Sequence, residues 1–460
     1  NDIGTSTNIE GNYILKLPYG QHEIIYKYIG YENITKKIFI NSDSLIKINI
    51  QLNSSSEQLS TVVVSAGKFN QKLEEITVSM EVIKPNLIEN KSSSNIETAM
   101  EQIPGLNITD GQANIRGGSG WSYGAGTRVL VMVDDMPLIS GDAGQVQWNL
   151  VATENINQVE IIKGASSALY GSSALNGIIN IRTAYPKQSE IDKNPYLGYT
   201  KVNLNFGLID FAKREAINWY GDKRRSFKGI EFLQSIKYDN IDLSFGGNIF
   251  KDDGYRKDEK TDRNRFNFNS LFKSDKVSGL SYGINGNFLF ESTASVLIWD
   301  GFDRAYIALD NDVTKTGGNS YNIDPFITYI KGNNRHSLRT RYLKVINDNE
   351  SLDSLANLDN RSKSYYSDYQ WQKNLKKYNL SFTTGLTNEI IFAKSKAFQG
   401  KNFRRNHAFY SQIDKKIGNL NISSGARYEY FSLNSETKHV VRGDTLDHFA
   451  TGGPVFRGGI

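Results

Sequence analysis

The sequence predicts a mainly β protein in three parts: a small N-terminal β-sandwich, a central α+β domain, and the first part of a transmembrane antiparallel β-barrel. Three observations carry this. From Pro195 onward, apolar and small polar residues alternate over long stretches, as where Leu280, Tyr282, Ile284, Phe288 and Phe290 interleave with Ser281, Gly283, Asn285 and Asn287. That period of two, with one apolar and one small polar face, fits strands of a wide barrel in lipid. The β-branched runs 159–162 and 178–182 flank Gly164, Gly171 and Gly177, giving a compact strand, turn, strand unit. Finally, no apolar run approaches the roughly 18 residues of a membrane helix; the longest in the middle of the chain is 129–133.

At 460 residues the chain is expected to form two or three domains. It holds 25 Tyr and 23 Phe, yet only 38% of residues are apolar, as barrel strands that are apolar on alternate residues would average. The absence of cysteine argues against a disulfide scaffold and a thiolate metal site. Lys plus Arg against Asp plus Glu is 5 and 5 over 1–53, 9 and 13 over 54–188, and 40 and 31 over 189–460. The basic residues of the last part alternate with acids along strands and form no stripe, so nucleic acid is not an expected partner.

The first part, 1–53, contains four extended runs, at 11–18, 22–28, 35–40 and 45–52, separated by turn residues. A Ser-rich linker with a short β-prone run, 54–70, follows. In the central part, 71–187, residues 78–83 read as a strand, and Ser94 with Glu97 reads as a capping box opening a helix that stops near Pro104 and Gly105. Residues 128–133 read as a strand ending in a turn at Asp134 and Asp135, whose paired carboxylates point to turn geometry rather than acid/base chemistry. The last part, 188–460, contains about twelve strands, with long polar loops at 252–264, 300–319 and 347–362. Plugged barrels have about 22 strands, so the C-terminal end reads as cut and the strands are expected to form an open sheet; the leading sandwich reads as truncated at its start.

Other chemistry finds no support. The glycines of 164–177 are not followed by Lys-Ser or Lys-Thr, so they make no phosphate cradle. His22, His336, His407, His439 and His448 form no i, i+4 pair, and no metal site or cofactor is expected. Asp310, Asn311 and Asp312 lack EF-hand spacing. No nucleophile elbow exists, so the protein is not expected to be an enzyme.

Glu160, Lys163, Gly164, Ser167, Tyr170, Gly171, Gly177, Ile179, Asn180 and Ile181 stand in an order that closely resembles the end of the plug domain of TonB-dependent outer-membrane receptors. Ile115, Arg116 and Gly117 resemble that family's "IRG" motif, and the pattern over 10–31 resembles the carboxypeptidase-regulatory-like module that often precedes plugs. Thr61, Val62, Val63, Val64, Ser65 and Ala66 resemble the TonB box, a short extended segment able to add a strand to a partner's sheet. The resemblance implies an active transporter that imports a scarce ligand with energy from TonB and its inner-membrane complex. It places the barrel in outer-membrane lipid, with the plug and the N-terminal domain on the periplasmic side. It also implies that Arg116 and Lys163, beside Glu160, join an ionic cluster locking plug to barrel, with acidic partners from the barrel. Gly117, Gly164, Ser167, Tyr170, Gly171, Gly177 and Asn180 would then be structural. Trp121, Tyr123 and Trp148, aromatics in glycine-rich loops, are the candidate ligand contacts. The form of 163–171 favours a siderophore, haem or cobalamin as ligand over an oligosaccharide. A passive porin would share the strands without needing the plug.

Overall fold

The computed structural model describes residues 3–7, 11–26, 34–43, 45–51, 63–64, 68, 71–72, 76–90, 96–118, 127–164, 167–186, 191, 198–296, 298–350, 359–395, 400–441 and 444–459. It divides into two compact units, Asn1–Val64 with Asn70–Glu74, and Ser65–Phe69 with Glu75–Ile460.

In the first unit, β1 (Gly20–Tyr26) and β2 (Ile34–Ile40) pair antiparallel in full register. The runs expected as strands at 12–18 and 45–51 are not in strands. They are held by side chains instead: the Tyr13 hydroxyl donates to the Ile48 carbonyl at 3.1 Å and lies 2.9 Å from the Tyr26 hydroxyl. A two-residue ladder joins β3 (Val63–Val64) to β4 (Gln71–Lys72).

The second unit begins with β5 (Met80–Ile83), α1 (Pro85–Asn90), α2 (Ile96–Met100), β6 (Leu106–Thr109) and β7 (Gln112–Ile115). There follow β8 (Leu130–Val133), β9 (Met136–Pro137), β10 (Ile156–Lys163), α3 (Ser167–Tyr170) and β11 (Gly177–Thr183). The capping residue Ser94 lies outside the described residues, and the helix it was expected to open is five residues long. The central sheet has the order β5-β10-β11-β8-β9. Its strands are apolar on both faces because helices and loops cover both: Val131, Ile161 and Ile179 are fully buried, each burial contributing about 1.5–3 kcal/mol.

Gly177 shows why the strand-turn-strand unit needs its glycines. Its φ is +138°, and a Cβ there would lie 2.4 Å from the Ile162 carbonyl oxygen and 2.8 Å from Ile115. Only a residue without a side chain lets β11 leave the turn this close to β10.

Twelve strands complete the unit: β12 (Tyr199–Leu208), β13 (Ser226–Tyr238), β14 (Ile241–Asp252), β15 (Lys260–Lys273), β16 (Leu280–Ser295), β17 (Thr314–Lys331), β18 (Asn334–Glu350), β19 (Asn360–Leu375), β20 (Leu380–Ser395), β21 (Gly400–Ile417), β22 (Leu420–Val441) and β23 (Asp444–Gly459). They form one antiparallel meander in sequence order. As expected of an open sheet, β12 and β23 do not pair with each other among the described residues. Strands extend into the predicted polar loops at 252–264, 300–319 and 347–362, because polar strand ends such as 314–319 of β17 stay paired with their neighbours. Among the described residues no helix is long and apolar enough to cross a membrane.

Candidate functional site: the contact between plug and sheet

The described residues of 76–186 lie against one face of the twelve-stranded sheet, and the contact is built around the β8–β9 hairpin. Asp134 and Asp135 take φ of +51° and +67°, the two left-handed residues of a type I′ turn. Asp accepts such angles more readily than most residues, so the aspartate in place of glycine is tolerated here. The turn aims Asp135 inward, where it is 5% exposed. Its carboxylate accepts from Arg182 at 2.8 and 2.5 Å, from Asn180 at 2.9 Å and from Arg339 of β18 at 2.8 Å. Burial works against ionisation of Asp135, but Arg182 and Arg339 outweigh it and hold the carboxyl well below the usual carboxylate range. Asp134 caps the end of β11, accepting from the Thr183 amide at 3.1 Å and its hydroxyl at 2.7 Å.

Arg341, two residues along β18 from Arg339 and so on the same face, is clamped by Asp324 at 2.8 and 2.6 Å. Its Nη1 donates to the carbonyls of Met136 and Pro137 at 2.8 and 3.0 Å. Both charged side chains are almost fully buried, at 1% and 3% exposure. The planar fork lets one guanidinium hold a carboxylate and a hairpin backbone together.

The pattern repeats on β15. Arg265 meets Glu154 at 2.5 Å and also donates to the Val151 carbonyl and, at 3.1 Å, to the Thr153 hydroxyl. Asn267 donates to the other Glu154 oxygen. Asn149 accepts from Arg263 at 2.7 Å and donates to Glu291 at 2.9 Å.

A third contact carries the segment next to the TonB-box-like run. Lys68 reaches Asp368 of β19 at 2.6 Å, and its ammonium lies 4.6 Å from the Tyr410 ring centre and 5.2 Å from that of Tyr170. The Tyr410 hydroxyl donates to the second Asp368 oxygen at 2.9 Å. Burial pushes the Lys68 ammonium down from its ordinary value, against the opposing pull of Asp368.

The ionic contacts to the sheet thus fall on other residues than those expected, and with both polarities. Arg116 is exposed, with φ of +54°, and donates to Ser79 at 2.9 Å; the turn after β7 directs it away from the sheet. Lys163 pairs with Glu81 at 2.6 Å and the Pro104 carbonyl at 2.7 Å. Glu160, 1% exposed, accepts from Gln158 at 2.8 Å and lies 3.5 Å from Arg182. All three bond within the plug. At the hairpin and at Glu154 carboxylates and carbonyls of the plug meet arginines of the sheet, whereas at Lys68 the sheet supplies the carboxylate, Asp368.

Of the residues read as structural, Asn180 is 1% exposed and exchanges hydrogen bonds with Asp135. Tyr170 is buried, and burial raises its pKa well above the usual value. Gly171 has φ of +92°, and a Cβ there would meet Arg427 at 3.1 Å. Gly117 and Gly164 have φ of +67° and +123°. Ser167 starts α3, but its side chain lies outside the description.

The aromatic expectation is corrected at Trp148. It is 6% exposed within the hydrophobic core, its indole N–H donating to the Gly111 carbonyl at 2.8 Å; the apolar ring and its single donor both find partners inside the plug. Trp121 and Tyr123 lie outside the described residues, as do Thr61, Val62, Ser65 and Ala66. Sequence reading missed Arg182, Arg265, Arg339, Arg341 and Lys68. The available signal was the Arg-x-Arg spacing at 263–265 and 339–341, two cations on one strand face where small polar residues were expected.

Comparison with known proteins agrees with this architecture. Residues 72–178 match the TonB-dependent receptor plug domain, and residues 1–64 match the CarboxypepD_reg-like domain. The vitamin B12 transporter BtuB of Vibrio vulnificus (strain CMCP6) is 35% identical over 133 residues, 28% of this chain and 22% of the relative. BtuB of Vibrio cholerae serotype O1 (strain M66-2) is 30% identical over 156 residues, 33% and 24% of the two chains. Among solved structures, the ferric citrate transporter FecA superposes with a TM-score of 0.64 at 12% identity, over 84% of this chain and 60% of its own. The ferric yersiniabactin uptake receptor FyuA from Yersinia pestis gives 0.59 at 15% identity, over 83% and 61%. The aligned part of this chain thus spans under a quarter of the curated relatives' length. Those named are transporters and receptors, not enzymes. In its leading domain, its plug and its fold, the chain resembles the TonB-dependent receptors.

Proposed function

We propose that the protein is an energy-coupled outer-membrane receptor that imports a scarce small ligand, with a siderophore, haem or cobalamin favoured over an oligosaccharide. The observation that carries the reading is the plug bound to one face of a membrane-type sheet through the buried Arg265–Glu154 ion pair and through Arg341, which donates to the hairpin carbonyls of Met136 and Pro137. A passive pore has no use for such an obstruction.

In this reading the inner-membrane energising complex acts through TonB on the run from Thr61 to Ala66, and the plug and leading domain face the periplasm. The extended, ladder-forming state of Val63 and Val64 supports a strand-addition role for that run. The test is uptake of iron chelates, haem and cobalamin by cells expressing the full-length protein, with and without a protonophore. Energy-dependent accumulation of one of them is expected. Entry that ignores collapse of the proton-motive force would identify a passive channel and end this reading.

A further inference from the structure

We propose that the outer face of β18–β21, beside the loop ends, is a docking surface for a phosphorylated membrane lipid. The proposal rests on the reading of the sheet as membrane-spanning and goes beyond it by assigning a partner to one sector.

The face of the sheet turned away from the plug carries a ribbon of aromatic rings. Centroid separations are 6.4 Å for Phe268–Phe288, 6.0 Å for Phe288–Tyr321, 5.8 Å for Tyr321–Tyr342, 4.9 Å for Tyr342–Tyr365, 6.5 Å for Tyr365–Phe392 and 4.7 Å for Phe392–Phe403. Such a girdle marks the border between hydrocarbon and headgroups. On its loop side the strand register sets cation against cation. Lys344 stands opposite Lys363, Arg361 opposite Lys394, and Lys394 opposite Lys401. Arg405 adds a further guanidinium, 4.6 Å from the Phe403 ring centre.

Like charges directly opposite each other destabilise a sheet. The neighbouring carboxylates relieve little of this: Asp348 pairs with Arg361 at 3.0 Å and Glu436 with Lys401 at 3.3 Å, all four side chains more than half exposed, where ion pairs contribute little. On β14 and β15 the register instead sets Lys251 opposite Asp262, 2.8 Å apart. On β18–β21, by contrast, Lys344, Lys363 and Lys394 each stand opposite another cation in the register, an arrangement that suits an external polyanion.

Position identifies the anion. Below the cations the same face exposes Leu386, Phe392 and Phe409, apolar surface at acyl-chain depth. A headgroup phosphomonoester at the lysine row and chains along these side chains would satisfy both halves at once, which a soluble acidic partner would not. Lysine clusters at a membrane surface attract anionic headgroups in this way.

The test reconstitutes the full-length protein in phosphatidylcholine nanodiscs containing a minor fraction of phosphatidic acid, and measures retained lipid by mass spectrometry after extraction. Enrichment of phosphatidic acid is expected for the wild type and for K251Q. For K363Q/K394Q/K401Q it should fall at least tenfold, given about a fivefold loss per lysine. Equal enrichment in wild type and the triple variant overturns the surface while leaving the membrane reading intact. Enrichment that bulk inorganic phosphate abolishes identifies a free-anion site and overturns the lipid assignment. A protein that fails to enter the nanodisc overturns the membrane reading itself, and this surface with it.

Discussion

The Lys68 ammonium lies 2.6 Å from the Asp368 carboxylate, with the two side chains 3% and 6% exposed. One charge belongs to the segment that follows the TonB-box-like run, and the other to the wall of the sheet. Removing either leaves its partner buried and unpaired. Asp368→Ala should lower stability by about 3–5 kcal/mol, read as a fall in the denaturation midpoint. Lys68→Met combined with Asp368→Leu should recover most of that loss, since two apolar groups need no counter-charge. Equal damage from the single and double variants would show that packing, not charge, holds this contact.

Asp135 predicts a defined response to pH. Its folded-state pKa is depressed, with Arg182 and Arg339 outweighing burial, so its contribution is present above the unfolded carboxyl pKa of about 4 and is lost as pH falls below it. Wild-type stability should be flat in this respect from pH 8 to 5 and decline below about 4. Asp135→Asn should be destabilised at neutral pH and show a shallower acid decline. An unchanged acid slope in the variant would mean that other carboxylates govern it.

Gly177→Ala tests the close approach of β10 and β11. A Cβ 2.4 Å from the Ile162 carbonyl oxygen has no room, and a φ of +138° strains any residue with a side chain. A loss of more than about 2 kcal/mol is expected, measured as chemical denaturation of the plug in the full-length protein.

Trp148 should prove structural. Trp148→Phe removes the donor to Gly111 and should cost about 1–3 kcal/mol by leaving that carbonyl without its partner, while ligand affinity stays unchanged in a binding titration. A drop in affinity without a loss of stability would return it to the ligand site.

Val63→Pro tests coupling. Proline removes an amide donor from an extended run, whereas Val63→Thr keeps both the donor and the β-branched shape. Uptake should fail in the first and survive in the second, with ligand binding normal in both. Uptake that persists through the proline would refute strand addition at this position.

The strand content was legible because a sheet with one apolar face writes itself as alternation: the side chains of Leu280, Tyr282 and Ile284 share one face whatever the rest of the molecule does. The glycine unit was legible for a similarly local reason, since Gly171 and Gly177 answer to backbone angles set within a few residues. What holds the plug to the sheet was not local. Arg339 and Asp135 are about two hundred residues apart, and nothing in either neighbourhood specifies the other. The polarity of the lock depended on which way each turn aimed its side chain. The left-handed angle at Arg116 sends that arginine outward, while those at Asp134 and Asp135 send a carboxylate in, where only tertiary packing could supply its cations.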